Sequence, residues 1–443
     1  MYDMHDTIVA FATSNGGAVA LLRLSGTLAY KILKELTKKN NFTPRRATLA
    51  TIYDGDAVLD KVLALYFKAP NSYTGEDLIE ISMHAGPYIK SRILELCLML
   101  GARIAKEGEF SQRAFLNGKM DLVEAQGVLD IISAKNKAAH KAAVNSLEGR
   151  LSGRFKEIRQ ELTDILSQVE VRIDDSDDEM QPLPQEEVKA KLFKVEKEAK
   201  DLADTFSSGR LVKEGIKVAI CGLTNAGKSS LLNRLLGYNR AIVSSNAGTT
   251  RDTVEAPLSL LGFDLVLIDT AGIRLTVTDD AEIEGITRSR QAIKQADITI
   301  FVRDLTLKNN TEENKFFEEV RLNSKNLITV YNKADAVSSN KSTEGLSISA
   351  KTGQGLKELE QEIIKILDLS NISGQDMIIT SATHHRALLH AACELKDAAR
   401  KLTDLELCAE HLRAALKYLK ELIGEVTTED ILDNIFSKFC VGK

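Results

Sequence analysis

The spacing of apolar residues changes character along the chain. From the start to about residue 118, short alternating runs at Thr7 to Ala12, Ala18 to Leu24, Ala47 to Tyr53, Val62 to Phe67 and Leu78 to Met83 predict strands between polar turns. Residues 87 to 100, with Ile89, Ile93, Leu94, Leu96 and Leu98, predict a helix after the last of them, so this part reads as an α+β domain. From Leu122 to Phe206 the period becomes helical, most clearly in Leu151, Phe155, Ile158, Leu162, Ile165, Leu166, Val169 and Ile173. The acidic run Asp174 to Glu179 with Pro182 and Pro184 ends that helix and reads as a solvated loop, and a second helix resumes through Val188, Leu192, Val195, Ala199 and Leu202. Strand-like runs then return at Ile216 to Ile220, Leu265 to Ile268 and Leu327 to Tyr331. Helical period comes back from Ala382 to Phe439 through Leu388, Leu395, Leu402, Leu412, Leu416, Leu419 and Ile423.

Helices on both sides of a self-contained strand-rich segment indicate an insertion. The fold class expected is multidomain α/β: an N-terminal α+β domain (1–118), a helical domain in two parts (119–212 and 372–443), and a nucleotide-binding domain (213–371) set into the helical bundle. A length of 443 residues suits this division, with 44% hydrophobic and 27% charged residues typical of globular domains. No apolar run approaches the ~18 residues of a membrane span, so no membrane partner and a cytoplasmic location are expected. Five scattered cysteines without C-x-x-C spacing suggest neither a disulfide framework nor a zinc site. A net charge of −5 gives no global attraction to nucleic acid, so RNA contact would need a local basic patch.

The inserted segment carries the chemistry. Gly222-Leu223-Thr224-Asn225-Ala226-Gly227-Lys228-Ser229, between a strand and a helix, fits the phosphate-binding loop G-x-x-x-x-G-K-[ST]. Backbone N–H groups from Asn225 to Ser230 would cradle phosphates, Lys228 would reach the β and γ phosphates, and the Ser229 hydroxyl would bind Mg²⁺. Asp269-Thr270-Ala271-Gly272 ends the second strand, where a carboxylate holds Mg²⁺ through water and a glycine N–H senses the γ phosphate. Asn332-Lys333-Ala334-Asp335 ends the third. Asp335 can accept from guanine N1–H and N2–H₂, which adenine does not offer, and Ser349-Ala350-Lys351 would present an N–H to guanine O6. Between the first two motifs, Ser244-Ser245-Asn246-Ala247-Gly248-Thr249-Thr250 completes the nucleotide-binding set, with Thr250 able to close on Mg²⁺ when a γ phosphate is bound.

After Gly272 stands Ile273, where small GTPases place a water-orienting glutamine. An isoleucine cannot polarise water, so hydrolysis needs another group, and Asp279, Asp280, Glu282 and Glu284 are candidates. Asn225 could also hold a monovalent cation in the place of an arginine finger.

Taken whole, the chain resembles the MnmE (TrmE) family of tRNA-modifying GTPases. The resemblance rests on Asp6 to Ala10, Leu22-Arg23-Leu24-Ser25-Gly26, Ser72-Tyr73-Thr74-Gly75-Glu76-Asp77, the segment Gly108 to Lys119, and the terminus Phe439-Cys440-Val441-Gly442-Lys443. It departs at His84-Ala85-Gly86, where the family has His-Gly-Gly, and at Leu223-Thr224, where arginine and proline are common.

The resemblance implies that the N-terminal domain binds a tetrahydrofolate one-carbon donor, 5,10-methylene- or 5-formyl-tetrahydrofolate, through Arg23, Glu80, Lys119 and Lys443. It implies K⁺ bound by Asn225, Ser244, Asn246 and Thr249, Mg²⁺ by Ser229 and Thr250, and Glu282 as the catalytic glutamate beside Lys228. It also implies a homodimer that pairs with an FAD-dependent protein (MnmG, GidA) and installs an aminomethyl-type group at C5 of the wobble uridine of tRNA, using GTP hydrolysis. Cys440 is implicated by motif position, as a nucleophile toward uridine C6 or as a structural thiol near the folate. A ribosome-assembly GTPase or a purely regulatory switch would share the nucleotide motifs. The first normally adds a basic RNA-binding segment, and none follows residue 372.

Overall fold

Alternation of buried and less buried positions holds along residues 19–24, 59–67 and 79–84 of the N-terminal part, whereas Thr7 to Ala10 are buried in succession because Ala105 and Phe110 pack on Ile8 and Ala10. A computed structural model describes residues 6–13, 16–174, 181–238, 256–260, 263–268, 290–307, 311–337, 345–367, 377–426 and 429–442. These fall into two compact units, Met1–Ile132 with Asn145–Glu196 and His390–Lys443, and Ser133–Val144 with Lys197–Leu389.

In the first unit, β1 (Thr7–Phe11), β2 (Val19–Ser25), β3 (Thr48–Asp54), β4 (Ala57–Phe67), β5 (Leu78–His84) and β6 (Ala102–Ile104) form a sheet in the order β3-β4-β5-β2-β1-β6. All neighbours are antiparallel except β1 and β6. β4 starts earlier than its apolar run suggests, because Gly55-Asp56 makes a two-residue turn with Gly55 at φ 60° and pairs β3 with β4 to the hairpin end. Helices Ala29–Thr37 and Pro87–Met99 cover one face, burying Ile32, Leu33, Leu36, Ile93 and Cys97 against Leu22, Leu24, Ile79 and Ile81.

The helical part of this unit is built on Arg150–Ile173, whose buried Phe155, Ile158, Leu162, Ile165 and Val169 follow the predicted period. Its partner Leu405–Ile423 buries Leu412, Ala415, Leu416 and Leu419. That helix is capped at its start by the Asp404 carboxylate, which accepts the Leu407 N–H, and is closed by Gly424 in the left-handed conformation at φ 85°. The short helix Glu429–Phe436 packs Phe436, with Phe439 just beyond it, against Leu122 and Phe115.

The second unit centres on a sheet of β7 (Ile216–Cys221), β8 (Ala256–Leu260), β9 (Phe263–Ile268), β10 (Ile298–Asp304), β11 (Leu327–Asn332) and β12 (Leu346–Ser347) in the order β12-β11-β10-β7-β9-β8. Every pairing is parallel except the β8–β9 hairpin. The two innermost strands, β7 and β10, are buried almost throughout because they are covered on both faces, with β10 buried from Ile298 to Arg303. Parallel strands place their carboxyl ends on one edge, and binding loops gather there. The helix Lys137–Leu147 is anchored to this unit by Asn136. Its amide donates to the Val212 carbonyl (3.1 Å) and to Asp264 on β9 (3.2 Å), and its oxygen accepts the Ala139 N–H (2.8 Å).

Candidate functional site

The phosphate loop leaves the carboxyl end of β7, the strand between β10 and β9. Gly222 turns there at φ 143°, and a Cβ on it would fall 2.2 Å from the Val302 carbonyl oxygen of β10. Gly227, at φ 93°, passes so close to Asn332 that a Cβ would stand 2.1 Å from its side-chain nitrogen. Both motif glycines are therefore required by backbone approach. Asn225 between them is left-handed at φ 64°, a conformation asparagine tolerates, and is exposed. Lys228 opens the helix Lys228–Tyr238 and donates its ammonium to the Gly222 (3.0 Å) and Leu223 (2.8 Å) carbonyls. The helix N-terminus and the lysine charge thus meet where an anion would lie. Behind the loop Ala226, Leu231 and Leu235 are buried, and burial pushes the Cys221 thiol up to about 12, which makes it inert.

The Asn332 side chain fastens the loops after β11 and β12 to this phosphate loop. Asn332 is 2% exposed; its amide donates to the Ala226 carbonyl (2.9 Å) and its oxygen accepts the Ala350 N–H (2.9 Å). Three sequence motifs are joined in this way, the first of them 106 residues before Asn332 and the last 18 after it. The Ser349 hydroxyl donates to Asp335 at 2.5 Å and holds its carboxyl below the usual carboxylate range, so Asp335 stays an ionised acceptor. Lys333, left-handed at φ 67°, pairs with Asp304 at the end of β10, a partner that no sequence motif indicates. Ser229 and Ser230 are exposed at the start of the helix, and Lys351 is exposed beyond Ala350. Ser244, Ser245, Asn246, Ala247, Gly248, Thr249, Thr250, Asp269, Thr270, Ala271, Gly272 and Glu282 lie outside the described residues, as does Lys443.

A second cluster forms in the first unit around Arg23 of β2. Arg23 faces Glu80 across β2–β5 and gives it two hydrogen bonds, from Nε at 3.0 Å and Nη2 at 2.6 Å. Its Nη1 donates to the Gly442 carbonyl at 3.3 Å, and its guanidinium lies 5.5 Å from the Tyr73 ring centre and 5.7 Å from that of Phe110. The C-terminal segment is seated here by the Glu107–Val441 bridge, and by Gly442 at φ 97°, where a Cβ would be 2.2 Å from the Phe11 carbonyl oxygen. Cys440 is exposed beside it.

The two longest shared segments, Ser72 to Asp77 and Gly108 to Lys119, lock to one another. Asn117 donates to the Thr74 carbonyl (2.7 Å), Tyr73 and Ser111 hydroxyls are 2.8 Å apart, and Arg113 reaches Glu76 (3.2 Å). Lys119 is exposed next to this lock, its Cε 3.4 Å from where a Cβ on Gly75 would be. Sequence reasoning missed Tyr73, Phe110, Glu76 and Arg113 as supports of the Arg23 site, although all four lie inside the quoted segments. Ala85, the residue that departs from His-Gly-Gly, is accommodated in the turn after β5 with its N–H on the Ala18 carbonyl (3.0 Å). His84 before it is held by Asp60 at 2.7 Å.

A parallel sheet with one antiparallel edge strand, a phosphate loop on its central strand and an Asn-Lys-x-Asp motif at the end of β11 define a P-loop guanine-nucleotide-binding protein. The comparisons extend this to the whole chain. The family described as MnmE helical domain matches residues 122–440, and that described as GTP-binding protein TrmE N-terminus matches residues 7–119. Relatives named tRNA modification GTPase MnmE include one from Aquifex aeolicus, 40% identical over 99% of this chain and 100% of that one. One from Akkermansia muciniphila is 41% identical over 100% of both chains, and one from Clostridioides difficile is 38% identical over 99% of both. The chain belongs to the MnmE family.

Proposed function

We propose that this GTPase acts in tRNA modification as the GTP-hydrolysing component of the system that builds an aminomethyl-type group on C5 of the wobble uridine. The observation that carries the reading is Arg23, held by Glu80, covered by Tyr73 and Phe110, and met by the Gly442 carbonyl of the C-terminal segment. A regulatory or ribosome-assembly GTPase has no use for such a cluster on a domain that carries no nucleotide motif. The cluster offers cations for folate glutamate carboxylates and an acidic acceptor for pterin N–H groups, so its residues fit a reduced folate. When bound, the folate supplies a one-carbon unit. In this reading Arg23 and Lys119 bind carboxylates, Glu80 orients the ring system, Lys443 adds charge from the terminus, and Cys440 lies within reach of that surface.

At the nucleotide end Lys228 exchanges its loop carbonyls for phosphate oxygens, Asn332 keeps phosphate loop and base loops in register, and Asp335 selects guanine. In this reading Ser229 and Thr250 would offer hydroxyl oxygens to Mg²⁺, Asn225 with Ser244, Asn246 and Thr249 would offer oxygens to K⁺, and Glu282 would take the place of the missing glutamine. K⁺ held by these residues would also favour pairing of two copies, and an FAD-dependent partner would supply the redox step in the cytoplasm.

Isothermal titration with 5-formyltetrahydrofolate tests the folate reading. Wild type is expected to bind and Arg23→Ala to bind at least about tenfold more weakly; absence of binding by wild type overturns it. GTP turnover is expected to be several-fold faster in K⁺ than in Na⁺, with Glu282→Ala nearly inactive at unchanged nucleotide affinity. Equal rates in the two salts remove the cation mechanism.

A further inference from the structure

At the carboxyl end of β10, Asp304 stands opposite Asn332 in the strand register, and the Leu305 N–H donates to the Asn332 carbonyl at 3.0 Å. The Asp304 side chain is 6% exposed. One of its oxygens accepts the N–H and the hydroxyl of Thr306 at 2.9 and 2.6 Å, and the other takes the Lys333 ammonium at 2.5 Å. Burial alone would raise its pKa, yet Lys333 and Thr306 together hold the carboxyl below its usual range, so the pair is ionic. With both oxygens engaged the carboxylate cannot turn. Lys333 has the left-handed backbone at φ 67° that long side chains rarely adopt. It sits between Asn332, fastened to the phosphate loop, and Asp335, held by the Ser349 hydroxyl.

We infer that Asp304 is a positioning residue for guanine-nucleotide binding: by holding the Lys333 ammonium it fixes where the lysine stem lies beside Asn332 and Asp335. The lysine charge is then neutralised by the protein, and the stem serves the nucleoside part of the ligand. The effect of losing Asp304 should therefore be the same for nucleotides with two and with three phosphates. The inference rests on the guanine-nucleotide reading of these loops. Failure of that reading would appear as wild-type protein that does not bind GDP, whereas failure of the inference leaves wild-type binding intact.

Asp304→Asn keeps the size of the side chain and an acceptor for Thr306 but turns an amide toward the ammonium. In the full chain it is expected to raise Kd for GDP and for GTPγS alike by about tenfold, the loss of one charge-assisted contact, with kcat at saturating GTP within about twofold of wild type. In a Lys333→Met background the same substitution is expected to change the GDP Kd by less than about twofold, because its target is gone. Unchanged affinity in Asp304→Asn, or an equal tenfold loss with Lys333 already replaced, overturns the inference. If Asp304→Asn does not fold, Thr306→Val removes the hydroxyl that steadies the carboxylate at an exposed position. It is expected to raise the GDP Kd about threefold, and no change would overturn the inference.

Discussion

Replacing Asn332 by alanine removes a side chain that joins the phosphate loop to the base-recognition loops. The Ala226 carbonyl and the Ala350 N–H each lose a 2.9 Å partner, and both residues are buried, at 2% and 7% exposure, so water reaches them poorly. Leaving a buried backbone group unpaired costs about 1–3 kcal/mol. Two such groups with partial relaxation amount to about 3 kcal/mol. The side chain also fills the space over Gly227, which carries no Cβ to replace it. Because the two loops must be in register to enclose one nucleotide, most of this cost is expected in affinity, and 3 kcal/mol corresponds to a Kd about two orders of magnitude higher. Titration calorimetry with GDP on the full chain reads the affinity, and scanning calorimetry confirms that the variant is folded at the titration temperature. A change in Kd of less than threefold in a folded variant would refute the reasoning.

The remaining predictions concern the first unit. Gly442→Ala introduces a Cβ at φ 97° against the Phe11 carbonyl, so the C-terminal segment should lift from Arg23. Affinity for 5-formyltetrahydrofolate is then expected to fall about tenfold while GTP hydrolysis stays within about twofold, and equal folate affinity would contradict the seating. Asp6 and Glu109 pair with Arg103 and Arg113. Burial would raise both carboxyls, but these arginines hold them below their ordinary values of 3.8 and 4.5. A depressed folded-state pKa gives stability that is present above those values and lost as pH falls through the lower folded ones. Thermal unfolding should accordingly show a steep loss below about pH 4.5 and a smaller loss in Arg103→Met, whose arginine is partly exposed. Identical pH slopes in the two proteins would remove the network from the account.

Three parallel strands of the second unit, β7, β9 and β11, and the long helix Arg150–Ile173 were legible in the sequence as apolar runs before a motif and as a sustained helical period, whereas β10, with Thr299 and Arg303 inside it, and the two-residue β12 were not. The strand Ala102–Ile104 was not, since three residues are too few to show alternation and its pairing with β1 is purely tertiary. The helix Ala29–Thr37 carries only two turns of apolar spacing between polar neighbours. Among the sites, Gly222 and Gly227 were legible because backbone approach leaves no other residue possible there. Asp304 was not, because it belongs to no motif and its partner Lys333 lies 29 residues later. Arg23 was recognisable from its motif, but its contact with Gly442 joins residues 419 apart, a distance over which local pattern carries no information.

The central claim is that one chain couples a guanine-nucleotide switch to a folate-bearing domain in order to modify the wobble uridine. Nucleoside analysis of tRNA from a strain lacking this protein, complemented with wild type or with Arg23→Ala, tests it most directly. The account predicts that the C5 aminomethyl-type nucleoside is absent in the deletion, restored by wild type and not restored by Arg23→Ala, although that variant still hydrolyses GTP. Normal wobble modification in the deletion strain, or full restoration by Arg23→Ala, would contradict it.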